Sequence, residues 1–162
     1  MNSPYAPVSA SPLSSPADRP LNILVVDDEL CIRQLLSALL KGEGNFVETA
    51  LNGLDALDKF GDRHWDVVIT DRSMPMMGGE ELAEEIKRRS PEVAVVMVTG
   101  LLPKIQAGGR PAVSAADVMI GKPFSRPGLR AAIEEALSAV AERATSFVID
   151  GRRVDEEVAV AA

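Results

Sequence analysis

The chain has a single cysteine and a single histidine among its 162 residues, and aromatic residues make up only 4%. Cys31 cannot form an internal disulfide, and as a free cysteine it is expected to be a small buried side chain. No apolar run approaches the roughly 20 residues that a membrane-spanning helix needs. No basic stretch followed by an apolar run opens the sequence, so we expect no secretory signal and a cytoplasmic protein that does not enter a membrane.

Basic residues are too few to balance the acidic ones, which gives a net charge of −7 and a pI near 4.8. Such a surface repels a phosphate backbone, so we expect no direct nucleic-acid binding, and partners that are proteins. Hydrophobic residues still make up 46%, so a core can be built from aliphatic side chains and methionine. A chain of this length can hold one ordinary domain with residues left over.

Three regions differ in composition. Residues 1–20 are rich in Ser, Pro and Ala and have too little apolar surface to offset the entropy of ordering, which predicts a disordered arm. Residues 21–143 alternate strand and helix patterns and form the predicted domain. Residues 144–162 form a C-terminal tail in which Asp150-Gly151 favours a hairpin. A solvated tail is the alternative, because an isolated hairpin is only marginally stable.

Five apolar runs between residues 21 and 143 predict the strands of a parallel sheet, because strands covered by helices on both faces read as continuous apolar runs. Helical patterns follow the runs, and right-handed crossovers then favour a doubly wound α/β fold with five parallel strands in the order 2-1-3-4-5. Between strands four and five, Pro111 and the Gly108-Gly109 pair do not suit one stable helix. We therefore expect a short or irregular fourth helix there.

Polar residues stand where four of these runs end. Asp27 and Asp28 follow the first run, Asp71 the third, Thr99 the fourth and Lys122 the fifth. The carboxyl ends of parallel strands share one edge, so these side chains are expected to converge. Together they suit a divalent cation and a tetrahedral anion, which indicates phosphoryl chemistry with Asp71 as candidate nucleophile. Each residue alone has a plainer explanation, such as an aspartate that starts a helix.

The motifs around these residues resemble those of the receiver domains of two-component response regulators. The motifs are Ile23-Leu24-Val25-Val26-Asp27-Asp28-Glu29, Asp71-Arg72-Ser73-Met74-Pro75-Met76-Met77-Gly78-Gly79, Met97-Val98-Thr99-Gly100 and Gly121-Lys122-Pro123-Phe124. They occur in the family's order and at its usual spacing. The resemblance implies a flavodoxin-like fold and a signalling switch that is not an enzyme beyond its own phosphorylation and dephosphorylation.

The resemblance also implies a role for each site residue. Asp71 accepts a phosphoryl group from a histidine kinase or phosphotransfer protein, and the switch then changes its affinity for a downstream protein. Thr99 and Lys122 contact the phosphoryl oxygens, and the Lys122-Pro123 bond is cis. The implied Mg²⁺ ligands are Asp27, Asp28, Asp71 and the backbone carbonyl of Ser73.

One position departs from the family pattern. Met119 stands where an aromatic residue usually reports phosphorylation, which favours another readout, such as ordering of residues 101–115. Three alternatives stay open: a receiver module of a hybrid kinase or phosphorelay, a degenerate receiver that only binds, and a homodimer rather than a monomer. A phosphatase of the haloacid-dehalogenase type is disfavoured, because its two aspartates have one residue between them on the first strand, whereas Asp27 and Asp28 are adjacent and Asp71 lies on the third strand.

Overall fold

The computed structural model describes residues 19–61, 63–100 and 114–158, with side chains as far as residue 146. Of the arm predicted over residues 1–20, only the last two residues are therefore described. Residues 101–113, for which a short or irregular helix is predicted, lie outside the described residues. The domain limits of 21 and 143 stay a prediction.

Strands and helices alternate along the described chain. The strands are β1 (Asn22–Val26), β2 (Phe46–Ala50), β3 (Val67–Asp71), β4 (Ala94–Thr99) and β5 (Val118–Gly121). The helices are α1 (Leu30–Gly42), α2 (Gly53–Phe60), α3 (Gly79–Arg89) and α4 (Arg126–Val158). All neighbouring strands pair in parallel in the order β2-β1-β3-β4-β5, which confirms the predicted topology.

Two apolar layers cover the two faces of the sheet. Ile23 and Val25 of β1 pack in the layer that contains residues of α1 and α4, whereas Leu24 and Val26 pack in the layer of α2 and α3. Successive side chains of a strand point to opposite faces, so a strand buried on both sides needs an apolar residue at every position. The loops at the carboxyl edge are thus held on a rigid base.

Polar side chains and glycines set the helix ends that the sequence indicates. The Oδ1 of Asn52 accepts the backbone N–H of Asp55 at 2.9 Å at the start of α2, and the Oγ of Ser125 accepts that of Gly128 at 3.1 Å at the start of α4. Both are N-caps that satisfy an otherwise unpaired donor. Gly44, just beyond α1, has a φ of 90°, a conformation that favours glycine.

Two predictions are wrong. The expected hairpin is absent from the described residues of the tail, because α4 continues through Asp150-Gly151 as far as Val158. Extending an existing helix adds one hydrogen bond for each residue fixed, whereas a two-stranded hairpin must nucleate anew. Cys31 is exposed rather than buried, because it lies on the side of α1 that faces away from the sheet.

Within the described ranges, no helix is both long and apolar enough to cross a bilayer.

Candidate functional site

The carboxyl edge of the sheet brings together three of the predicted site residues. The Nζ of Lys122 lies 2.7 Å from the Oδ1 of Asp71 and 3.0 Å from the Oδ2 of Asp27. Both aspartates are almost fully buried, with 8% of Asp71 and 2% of Asp27 exposed. One ammonium thus bridges two buried carboxylates that arrive on different strands.

The loop that follows each aspartate orients its carboxylate. The Oδ1 of Asp27 accepts the backbone N–H of Glu29 at 2.8 Å, and the Oδ2 of Asp71 accepts that of Ser73 at 2.7 Å. Aspartates often bond in this way to the backbone two residues further on. Each carboxylate therefore has one oxygen fixed by its own loop and the other facing Lys122.

Lys122 is positioned by the end of β5. The register pairs Thr99 with Gly121, and the backbone N–H of Lys122 donates to the carbonyl of Thr99 at 2.7 Å. The Lys122-Pro123 peptide bond is cis. Burial lowers the pKa of the Lys122 ammonium, but hydrogen bonds and charges from the two aspartates outweigh burial and raise the pKa above its usual value. The side chain therefore carries its positive charge at neutral pH.

The other predicted residues lie at the same edge. Thr99 is buried at the end of β4, next to the backbone of Lys122, and Asp28 is exposed directly after Asp27. Ser73 contacts Asp71 through its N–H, whereas the prediction concerned its carbonyl. In the part of the chain that the structure describes, no group of three or more His, Cys, Asp or Glu side chains is arranged to hold a metal. The buried carboxylates of Asp27 and Asp71 instead contact the ammonium of Lys122.

Comparison with known proteins decides the family. Residues 23–134 match the family described as response regulator receiver domain. This chain belongs to that family. Receiver domains are signalling switches rather than classical enzymes, and the five-stranded sheet described above is their CheY-like fold.

Relatives and solved structures of receivers are similar to most of the chain. Protein PilG of Pseudomonas aeruginosa is 34% identical over 132 residues, which cover 78% of this chain and 90% of PilG. Transcriptional regulatory protein ZraR of Klebsiella oxytoca is 36% identical over 118 residues, which cover 73% of this chain but only 26% of ZraR. The crystal structure of response regulator protein TrrA from Thermotoga maritima, in complex with Mg(2+)-BeF, is 34% identical with a TM-score of 0.62, covering 72% of this chain and 99% of that chain. The receiver therefore spans about a quarter of ZraR and nearly all of TrrA.

This receiver also has contacts near the site that sequence reasoning missed. The Nε of Arg72 lies 3.5 Å from the Oε1 of Glu80, whose Oε2 accepts a hydrogen bond from the Ser114 hydroxyl at 2.9 Å. The loop after β3 is thereby tied to the start of α3 and to the residues before β5. A Cβ on Gly79 would lie 2.2 Å from the carbonyl oxygen of Asp71, so this close approach needs glycine. The glycine was visible in the motif, but the ion pair depends on the tertiary fold.

Proposed function

We propose that this receiver is a phosphorylation-dependent switch that accepts a phosphoryl group on Asp71 from a histidine kinase or phosphotransfer protein. The observation that carries the proposal is the Lys122 ammonium, 2.7 Å from Asp71 and 3.0 Å from Asp27. A carboxylate with one oxygen fixed by a backbone N–H and the other beside a cation is already oriented for attack. The same cation can stabilise the negative charge that a phosphoryl group brings.

The proposed step forms an acyl phosphate. One carboxylate oxygen of Asp71 attacks the phosphorus atom while the P–N bond of the donor's phosphohistidine breaks. The leaving imidazole nitrogen keeps the electron pair and takes a proton from solvent. Lys122 then pairs with one phosphoryl oxygen as a compact point charge, and the Thr99 hydroxyl donates to another. Later attack by water on phosphorus breaks the bond to the Asp71 oxygen, releases inorganic phosphate and restores the carboxylate, so the chemistry is confined to the receiver's own modification.

Mg²⁺ is the cofactor that suits these residues, because it takes oxygen ligands and keeps several waters. When bound, Mg²⁺ supplies positive charge to the phosphoryl oxygens. The related TrrA was solved with Mg(2+)-BeF, which supports the proposal. In the structure one oxygen each of Asp27 and Asp71 faces Lys122, so an ion held by these residues would lie beside the ammonium and share their negative charge with it. The residues that would hold the ion are Asp27, Asp28, Asp71 and the backbone carbonyl of Ser73.

Phosphorylation is proposed to change the affinity of the receiver for a downstream protein in the cytoplasm. The net charge of −7 supports a protein rather than a nucleic acid as direct partner. Some relatives are longer regulators, since the match covers only 26% of ZraR. A place within a hybrid kinase or phosphorelay is therefore the alternative setting for the same chemistry.

Intact-mass measurement tests the proposed chemistry. The wild type, Asp71→Asn and the control Asp58→Asn, which changes an exposed aspartate of α2, are incubated with acetyl phosphate and Mg²⁺ or with a chelator. With Mg²⁺, the wild type and the control should gain the mass of one phosphoryl group, and Asp71→Asn should gain none. The chelator should reduce the gain. Full phosphorylation of Asp71→Asn would contradict the proposal.

A further inference from the structure

Exposed apolar side chains gather beside the acceptor site. The described part of the chain exposes six large apolar residues, and four of them lie in loops or first helical turns that follow β1, β2 and β3. The four are Leu30, Leu51, Leu54 and Met76. Single exposed apolar residues are ordinary, but grouped ones mark interaction surfaces. The carboxyl edge therefore carries an apolar surface as well as the polar site.

The loops that follow β2 and β3 touch each other. The Nδ2 of Asn52 lies 3.5 Å from the Sδ of Met76, and the backbone N–H of Gly53 donates to the carbonyl of Met77 at 3.2 Å. Leu51 and Leu54 are exposed and directly flank Asn52-Gly53 in the chain, so each is the immediate neighbour of a residue that contacts the methionine loop. We call this surface the rim patch, which consists of Leu51, Leu54 and Met76.

Met76 is held in a strained conformation. Its φ of 69° lies in the left-handed region, which costs a non-glycine residue roughly 1–2 kcal/mol. The side chain is 76% exposed, so burial of the thioether does not offset this cost. Strained backbone that presents an exposed side chain is typical of binding surfaces, and methionine adapts to different partners.

Exposed acidic side chains outnumber exposed basic ones around the rim patch. Asp58 is exposed one helical turn after Leu54, and Asp28 and Glu29 are exposed in the loop after β1. The nearby cations are already engaged, since Lys59 pairs with Asp55 and Arg33 donates to the carbonyl of Asp27. An apolar centre with a negative border complements a segment whose apolar side chains are flanked by lysine or arginine.

The edge strand next to the rim patch indicates whether a partner would bind there as a helix or as an added strand. β2 is an edge strand, and an extended peptide could add to such an edge through its free carbonyl groups. The Nζ of Lys59 donates to the Thr49 carbonyl at 2.7 Å, next to the rim patch, and so takes the acceptor that an added strand needs. We propose that the rim patch is a docking surface for a basic amphipathic helix of a partner protein.

The inference rests on the proposed function only for its biological role, as the surface through which the switch meets a partner. The test uses unmodified protein, so its outcome can be separated from that of the phosphorylation assay. The probe is a synthetic helical peptide of about 18 residues, with leucine on one face and lysine elsewhere. Methyl NMR of the methionines follows the titration. The Met76 signal should shift, whereas that of Met97, which is fully buried, should not.

Variants show where the peptide binds. Leu54→Ser and Met76→Gln should each weaken binding about fivefold or more, the loss typical of truncated interface anchors. Phe46→Ser is the matched control, because Phe46 is 67% exposed but lies at the amino end of β2, whereas the rim patch follows the carboxyl end of that strand. A second peptide keeps the lysines but scatters the leucines around the helix. Equal binding of the two peptides, an unmoved Met76 signal at saturation, or an equal loss in Phe46→Ser would overturn the proposal.

Discussion

Replacing Lys122 with methionine tests whether the ammonium neutralises the two buried carboxylates. The ammonium nitrogen lies 2.7 Å from an oxygen of Asp71 and 3.0 Å from an oxygen of Asp27, so these oxygens are at most about 6 Å apart. Methionine keeps most of the side-chain length and removes the charge. The variant therefore leaves two negative charges together where little water can reach them.

The loss of the ammonium's attraction sets the size of the effect. The two carboxylates repel each other in both proteins, but only the wild type has a cation to offset that repulsion, and removing one partner of a buried ion pair costs about 3–5 kcal/mol. We expect Lys122→Met to lower the free energy of unfolding by about 3 kcal/mol or more at neutral pH in the presence of a chelator. Added Mg²⁺ should restore part of the loss, because an ion that binds only the folded state stabilises it.

Urea unfolding followed by fluorescence of the buried Trp65, the single tryptophan, measures this loss. The control Lys41→Met removes an exposed lysine of α1 and should change the unfolding free energy by no more than about 0.5 kcal/mol. Adding Asp71→Asn to Lys122→Met removes one of the two charges and should regain most of the stability. A free energy for Lys122→Met within about 0.5 kcal/mol of the wild type would refute the reasoning.

Three further substitutions test the surroundings of the site and the far end of the sheet. Gly79→Ala places a Cβ 2.2 Å from a backbone oxygen and should destabilise the fold by about 2 kcal/mol or more in urea unfolding, whereas Gly42→Ala, with open space around it, should not. Burial raises the pKa of Asp66, but hydrogen bonds from Arg19 and a backbone N–H outweigh burial and lower the pKa below its usual value. The stability that this carboxylate contributes is present above pH about 4 and is lost as the pH falls through the lowered pKa. The loss of stability in acid should therefore be less steep in Asp66→Asn than in the wild type. Asp117→Asn leaves two cations without their fully buried carboxylate and should cost about 3 kcal/mol in thermal or urea unfolding, and a loss below about 1 kcal/mol would contradict the role of that network.

The order of the sheet could be predicted because its central strands leave little choice. β3 and β4 are buried at every position, so each appears in the sequence as an apolar run that ends in polar residues, Thr70-Asp71 in β3 and Thr99 in β4. The tail could not be predicted in the same way. Asp150-Gly151 is a turn signal only where two strands can pair, and here the residues before it already belong to a helix.

The site, too, could be predicted only where the position of a residue in a strand decides where its side chain lies. Asp27, Asp71 and Lys122 could be expected to meet, because each stands at the carboxyl end of a parallel strand. The pairing of Arg72 with Glu80 could not, since it depends on how α3 packs beside the loop after β3. Nothing in the sequence singles out Asp117, yet its buried carboxylate binds Lys87 of α3 and Arg143 of α4.

That Asp71 alone accepts the phosphoryl group can be measured by trapping the acyl phosphate. Borohydride reduces an aspartyl phosphate to homoserine, and peptide mapping by mass spectrometry then locates the modified position. After incubation with acetyl phosphate and Mg²⁺, we predict homoserine at position 71 and none at Asp27 or Asp28. Homoserine at either of those two positions, or none at position 71 in protein that has gained a phosphoryl group, would contradict the assignment.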